Sequence, residues 1–569
     1  MDATLNLPQR PRPRSVGQDK LTPREYIEAI SGYARQTLSA SLYPGELYEK
    51  LARYLQDDGQ TRPPEHTRAA RPHEGKNRQT ATLYTFSASG DRDVQTISTT
   101  EELCESLDSI SGQNASDSGL APRSSILFLR GYPSPEWLST VGSMLQVDPV
   151  FFQRHLDIHS SFGKRNCFFS PSLPSTTEGM LSLPFITIGS DIHGTTSKGG
   201  QRDIDELRDQ AIRDMDQYLH SLSTGRDVKP GDSIVREYHV HDASNFSMLQ
   251  EMSIWVEKVS SGYVRKFGHP YAYIEDMINL TTTGLVWMDV GEDISQGPAG
   301  PWHRLQCSPP FVGRSPFYPT LQHLPKIALK WHKLSLAPDR QLRGKFAQSA
   351  AILHTDYGKA LNKQLMAEDP FYALSELFIF SAFSISQFLN MVDVKVTSET
   401  GLGVVSHQQF KTHNLGYHKE LLEKLARRLE ETGRNIEQRG SPLWPRSVGV
   451  DQKSTEVAVS RLYRDYEVLL HRTNSLIKRC KDGMLMKMNQ ATITESKRAI
   501  QQAQKVEQLT VLAFFYAPLS FTASFFSMDQ GTAGKGYWIW FAVSIPCLMF
   551  SYLVLGVIMR RFRNFRESH

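Results

Sequence analysis

Cysteine is scarce in this chain: five in 569 residues, at Cys104, Cys167, Cys307, Cys480 and Cys547. They stand far apart and form no C-x-x-C pair, which excludes a zinc ribbon and a thioredoxin-like site. An odd, sparse set fits a reducing compartment for the bulk of the chain. Net charge is scarce too. There are 64 basic and 60 acidic side chains, a formal charge of +4, which gives no reason to expect nucleic acid as a partner. No secretory signal is expected, because Met1 to Gln18 is rich in proline and arginine without an apolar core. No nucleophile–base constellation or dinucleotide fingerprint emerges, so the chain is not expected to be an enzyme and no cofactor is implied. Gly531-x-x-Gly534-Lys535 lacks the spacing of a phosphate loop. A mean hydropathy of −0.38 excludes a carrier built mostly of spanning helices. It leaves room for one or two spans, which an average over so long a chain dilutes.

What is present falls into blocks. Residues 1–20 read as a disordered tail, and 21–123 as a helical piece followed by a polar, partly disordered insertion. The helical spacing there runs through Ile27, Ile30, Leu38, Tyr43, Leu47 and Leu51. Short runs rich in branched and aromatic residues follow at Ile126–Leu129, Phe185–Ile188, Ile234–Val240, Ile254–Val259 and Leu285–Val290. With helices between them, they point to an α/β domain over 124–340. Residues 191–232 read as another loop-rich insertion, with Asp203–Leu222 open to a helical reading. From 341 to 450 everything reads helical, including the apolar stretch Phe371 to Val392. That stretch carries Glu376, Gln387, Asn390 and four serines, so we expect a buried helix there and not a span. Residues 451–508 read as one long stalk helix. Its seam of Leu462, Tyr466, Leu469, Thr473, Leu476 and Cys480 follows coiled-coil steps of four and three.

The C-terminal part carries the sharpest signal. Leu509 to Phe526 is uncharged and about 27 Å long as a helix, enough to cross a hydrocarbon core. Residues 527–536 form a short external loop, and 537–558 are a second uncharged stretch opened by Trp538 and Trp540 at interfacial depth. Arg560, Arg561, Arg563 and Arg566 follow in a basic tail, 559–569, while Lys497, Arg498 and Lys505 precede the first stretch. The positive-inside rule places both termini and the large N-terminal region in the cytosol of an integral membrane protein. The fold class expected is therefore a cytosolic α/β domain, a long stalk helix and a C-terminal two-helix transmembrane hairpin. The lipid bilayer is its first partner, and the plasma membrane is the membrane expected.

Within the first span, Thr510, Ala513, Ala517, Ser520, Ser524 and Ser527 recur at steps of three and four, a stripe of small or hydroxylated side chains. Close helix packing favours such a stripe. A pore lining does so equally, since small side chains leave room for a hydrated ion. Pro518, lacking an N–H, leaves the Phe514 carbonyl without its usual donor and marks a kink.

The words around the stripe resemble a known family. Pro518-Leu519-Ser520-Phe521-Thr522-Ala523-Ser524-Phe525-Phe526-Ser527-Met528-Asp529 is similar to the end of the first transmembrane helix of CorA magnesium transporters, where Pro-Leu-Thr-Phe leads to Gly-Met-Asn. Gly131-Tyr132-Pro133-Ser134-Pro135-Glu136-Trp137 and the Asp148-Pro149 region resemble fungal CorA-like proteins. The resemblance is specific over about 455–566 and only architectural over 124–330. It implies a homopentamer that passes divalent cations, magnesium first, through a pore lined by the first span. It assigns Ser527, Met528 and Asp529 to the motif at the outer mouth, with Asp529 as the contact for a hydrated cation. Ser524, Ser520, Ala517 and Leu509 would face the pore. Two departures stand out: an acidic Asp529 replaces a neutral Asn, and Lys535 offsets it in a loop that is usually acidic. A ring of carboxylates would hold cations more strongly than amides and repel itself. These residues are therefore compatible both with conduction and with a non-conducting anchor for a cytosolic interaction domain.

Other candidates are weaker. His155 and His159 could share a helix face, and His239 and His241 a strand face, but neither pair has a third ligand in sight. Asp203, Asp205, Glu206 and Asp209 read first as a solvated helix face and second as part of an ion sensor. The pentapeptide Pro-Arg-Ser-Val-Gly at 13–17 and 445–449 has no physical explanation.

Overall fold

The computed structural model describes residues 21–37, 39, 42–56, 80–87, 92–116, 123–157, 173, 179–190, 201–225, 227–260, 280–303, 316–323, 348–401, 412–442, 444–447, 450–527 and 536–567. The described residues are mostly helical, with one mixed sheet and three long apolar helices among them. It divides into two compact units, Met1–Cys480 and Lys481–His569.

Several helices of the first unit start where an acceptor side chain precedes proline. α1 (Pro23–Ala34) is capped by Thr22, α4 (Pro135–Leu145) by Ser134 and α5 (Pro149–Leu156) by Asp148. In each, the cap oxygen accepts a backbone N–H of the first turn, and proline sits where no donor is needed. The expected single helical piece breaks after α1 and resumes at α2 (Glu49–Gln56), with Pro44 and Gly45 between them. The remaining helices are α3 (Thr100–Ser116), α6 (Gln201–Thr224), α7 (Leu353–Asp356), α8 (Lys363–Glu368), α9 (Pro370–Thr400), α10 (Thr412–Glu437), α11 (Val450–Ser527) and α12 (Gly536–Glu567).

Seven strands form one sheet: β1 (Ala81–Ser87), β2 (Arg92–Ile97), β3 (Arg123–Arg130), β4 (Met180–Ser190), β5 (Glu237–Val240), β6 (Asn245–Ser260) and β7 (Leu280–Met288). The order is β2-β1-β3-β7-β6-β4, and β5 pairs with β6. Only β3 and β7 run parallel; every other pair is antiparallel. This corrects two expectations. The sheet is mixed, without the parallel repeat of an α/β domain. It also begins inside the stretch read as a polar insertion, at β1 and β2. β1 holds Thr82 and Thr85 beside Leu83, Tyr84 and Phe86, and threonine is polar by composition yet a good strand former.

Two cores flank the sheet. One gathers Tyr26, Leu51, Leu83, Trp137, Phe152 and Trp287; the other gathers Met215, Tyr218, Leu219, Ile234, Phe246 and Trp302. α6 supplies Met215, Tyr218, Leu219 and Leu222 to the second core, so this part of 191–232 belongs to the packed fold. α9 lies on β4: Ser381 Oγ donates to Pro184 O at 2.6 Å, and the Ile186 N–H donates to Ser384 Oγ at 3.2 Å. The first part of α11 packs on α9, where Tyr466 Oη donates to Phe378 O at 3.1 Å. Arg472 donates to Asn390 Oδ1 at 2.6 Å, and Arg479 pairs with Asp393 at 2.5 Å. The stalk seam expected from the sequence is buried here from Leu462 to Cys480, against α9 of the same chain.

Candidate ion path

The second unit contains the apolar end of α11 and α12. The helix continues through Pro518 to Ser527 as one element, and α12 continues through Pro546 to Glu567. They meet along a narrow polar-centred contact. Between 509 and 527 of α11 and along α12, Thr522 and Ser544 are the only buried residues among those described, and Ser544 Oγ donates to Thr522 Oγ1 at 3.1 Å. Val511, Phe515, Pro518 and Leu519 of α11 are half-buried beside them, as are Trp540, Cys547, Leu548 and Ser551 of α12. Both sets repeat at three and four residues, as two helices in contact require.

The small-residue stripe lies elsewhere. Thr510, Ala513, Ala517, Ser520, Ser524 and Ser527 are all exposed and take no part in the contact with α12. The hydroxyls of Thr510, Ser520 and Ser527 are spent on their own helix. Thr510 Oγ1 donates to Val506 O at 2.8 Å, Ser520 Oγ to Ala517 O at 3.1 Å and Ser527 Oγ to Ser524 O at 2.9 Å. Each of these three oxygens then presents lone pairs outward and no proton. Leu509 is 64% exposed beside the stripe.

The same steps of three and four can be continued towards the N-terminus of α11, where every residue from 492 to 510 is exposed. Continuing the same steps backwards gives Val506, Ala503, Ala499, Ser496, Thr492 and Asn489, all exposed and uncharged. From Asn489 to Ser527 this surface is about 57 Å long at 1.5 Å per residue. The signal was legible as a three-and-four repeat of small residues, but Lys497, Arg498 and Lys505 on other faces masked it.

Met528 and Asp529 lie outside the described residues, as do Lys535 and His159. Arg560 is exposed on α12, and Arg561 and Arg563 follow on the same helix. No group of three or more metal-ligating side chains occurs among the described residues.

The other histidines resolve into polar clusters. His155 Nδ1 lies 2.7 Å from Ser253 Oγ, and its Nε2 lies 3.2 Å from Asp289 Oδ1. The trio has the residue types of a hydrolytic triad. All three are buried, however, and Trp287 stacks on the imidazole at 3.9 Å, which leaves no approach for a substrate. Its role is ionic. Arg236 grips Asp289 with bonds of 2.7 and 3.0 Å, and lies 3.5 Å from Glu251. Arg428 of α10 then reaches Glu251 at 2.5 Å and Glu237 at 3.2 Å. Burial raises the Asp289 carboxyl, but Arg236 and His155 outweigh it and hold the group below the ordinary carboxylate range. Burial keeps His155 neutral despite Asp289. Burial likewise opposes the ionised form of Glu237, yet His239 and Arg428 bring it down to about 2. His239 Nε2 sits 3.0 Å from Glu237 Oε2, at the end of this run of contacts. Of the acidic run on α6, Asp205 lies 3.0 Å from His413 and 3.6 Å from Arg208.

No protein-family model matches the chain, and no curated protein does.

Proposed function

We propose that this chain is a CorA-like transporter or channel, passing divalent cations, with magnesium as the cargo the resemblance implies, through a homo-oligomeric pore lined by the first span. The supporting observation is the exposed stripe of Thr510 to Ser527, outside the contact with α12, in which Thr510, Ser520 and Ser527 commit their hydroxyl protons to the helix backbone. A stripe that served only to pack the two spans would face Ser544. In a ring of copies, five by family resemblance, the stripes would enclose a water-lined path with Ser520 and Ser524 at its narrow part. Asp529, with Ser527 and Met528, would form its outer mouth. The termini lie in the cytosol, the arginines after Met559 hold that orientation, and the plasma membrane is the site of action. No covalent chemistry is required. The membrane potential supplies about 2.3 kcal/mol per charge per 100 mV, and twice that for a divalent ion.

Vesicles carrying the purified full chain and a magnesium indicator test this reading. Uptake driven by an inside-negative potential is the expected result, with Ser524→Phe reducing it to the level of empty vesicles. No uptake by the native chain, together with uptake by Asp529→Asn, would make the native protein a CorA-like anchor with a blocked path.

A further inference from the structure

α10 meets the sheet through two buried histidines. His241, just after β5, is 2% exposed, and His418 on α10 is 1% exposed. Their rings stack with 5.4 Å between centroids and 7° between planes. His241 Nδ1 lies 3.3 Å from His418 Nε2, and His241 Nε2 lies 2.8 Å from Ser247 Oγ on β6. One proton between the two facing nitrogens makes a hydrogen bond. A second proton sets donor against donor and adds a charge where water does not reach.

The surroundings sharpen that asymmetry. α6 brings Arg208, whose guanidinium lies 4.0 Å over the Tyr417 ring and donates to Asn414 Oδ1 at 2.7 Å; Asp205 stands beside it. β5 brings His239 and Glu237, joined to each other. The turn after β5 brings Asp242, ion-paired with Lys395 of α9. α9 also brings Phe388 against His241, and Glu399, which accepts from Asn414. α10 itself brings Tyr417 beside His418 and Arg428 further along. Asp242 is the carboxylate that favours protonation of His418, while Arg208 and Lys395 oppose it.

We propose that the His241–His418 pair is an acid-operated clamp, which holds α10 on the sheet while at least one ring is neutral and releases it when both are protonated. This goes beyond the cation path and does not depend on it. Burial is the first cause that keeps both rings neutral, followed by the partner ring and the cations for His241, and by Arg208 for His418. His418 is held down to about 4 from an ordinary 6.5. A histidine lowered on folding stabilises fully above about pH 6.5, and its contribution is lost as the pH falls towards the folded value.

Hydrogen exchange of the full chain in lipid nanodiscs at pH 7.5 and 5.5 tests the clamp, after correction for the intrinsic pH dependence of exchange. The shift of His418 alone makes open α10 about tenfold more populated at pH 5.5 than at 7.5. β3 and β7 keep their protection. Replacing both rings, H241Q with H418Q, removes the acid response, whereas H413Q at the exposed start of α10 keeps it. Should the double variant not fold, Lys395→Met decides: losing a cation that opposes protonation moves the response to higher pH. Equal protection of native α10 at both pH values overturns the clamp. So does a native acid response in the double variant, or an unmoved response in Lys395→Met.

Discussion

α9 and the apolar end of α11 are alike in sequence and opposite in surroundings. Both are long and apolar enough to cross a membrane, as is α12. Half of the apolar window of α9 is buried within the protein, against 6% for each of the other two. On α9 some hydroxyls donate to their own helix, as Ser375 does to Tyr372 O, but other polar side chains reach across to neighbouring elements. Ser381 bonds the Pro184 carbonyl, Glu376 accepts the Gly358 N–H, and Asn390 accepts from Arg472. On α11 the hydroxyls turn back to their own helix, and Phe521 and Phe525 stand 72% and 65% exposed. Apolar surface that continuous calls for a lipid or protein cover. Composition alone does not distinguish these two helices; how much of the apolar window is buried within the protein does.

Substitutions can press on that difference. The largest effect is expected at Phe378 of α9, fully buried: Phe378→Ala should cost the first unit about 3–5 kcal/mol in denaturant unfolding. Phe521→Ala, on exposed helix surface, should leave that transition unchanged. Next comes charge. Leu553→Arg, on a 67% exposed position of α12, should disfavour membrane insertion by about 2.5–3.5 kcal/mol, read as loss of the carbonate-resistant fraction. Val394→Arg on α9 is equally exposed at 66% and should change stability by less than about 0.5 kcal/mol. Equal sensitivity of the two sites would erase the distinction. The smallest effect belongs to the bond between Ser544 and Thr522. Thr522→Val should weaken association of the two helices by about 0.6 kcal/mol in a double-mutant cycle with Ser544→Ala.

Some of this was legible in the residues and some was not. The strand runs from Ile126 to Val290 show as blocks of branched and aromatic residues, and β3, β4, β5, β6 and β7 fall on them. The apolar stretches at 509–526 and 537–558 show as uncharged lengths and lie in two helices. β1 and β2 were hidden because their threonines and charges imitate a polar loop, and strand pairing with β3 decides the matter. The buried clusters were hidden by distance along the chain. His155 and Ser253 are 98 residues apart, and His241 and His418 are 177 apart, so no local pattern joins them. The stripe of α11 is the reverse case: its spacing is local and visible, while its outward orientation needs the neighbouring helix.

Cysteine accessibility tests most directly whether that stripe faces water. In full-length protein in membranes, with Cys547 replaced by serine, Ser520→Cys and Ser524→Cys are labelled by a small hydrophilic thiol reagent, and millimolar magnesium slows the reaction. Phe521→Cys and Leu553→Cys, on exposed apolar surface away from the stripe, stay unlabelled. Labelling of the Phe521→Cys and Leu553→Cys variants, with none in Ser520→Cys and Ser524→Cys, would contradict a water-filled path along the stripe.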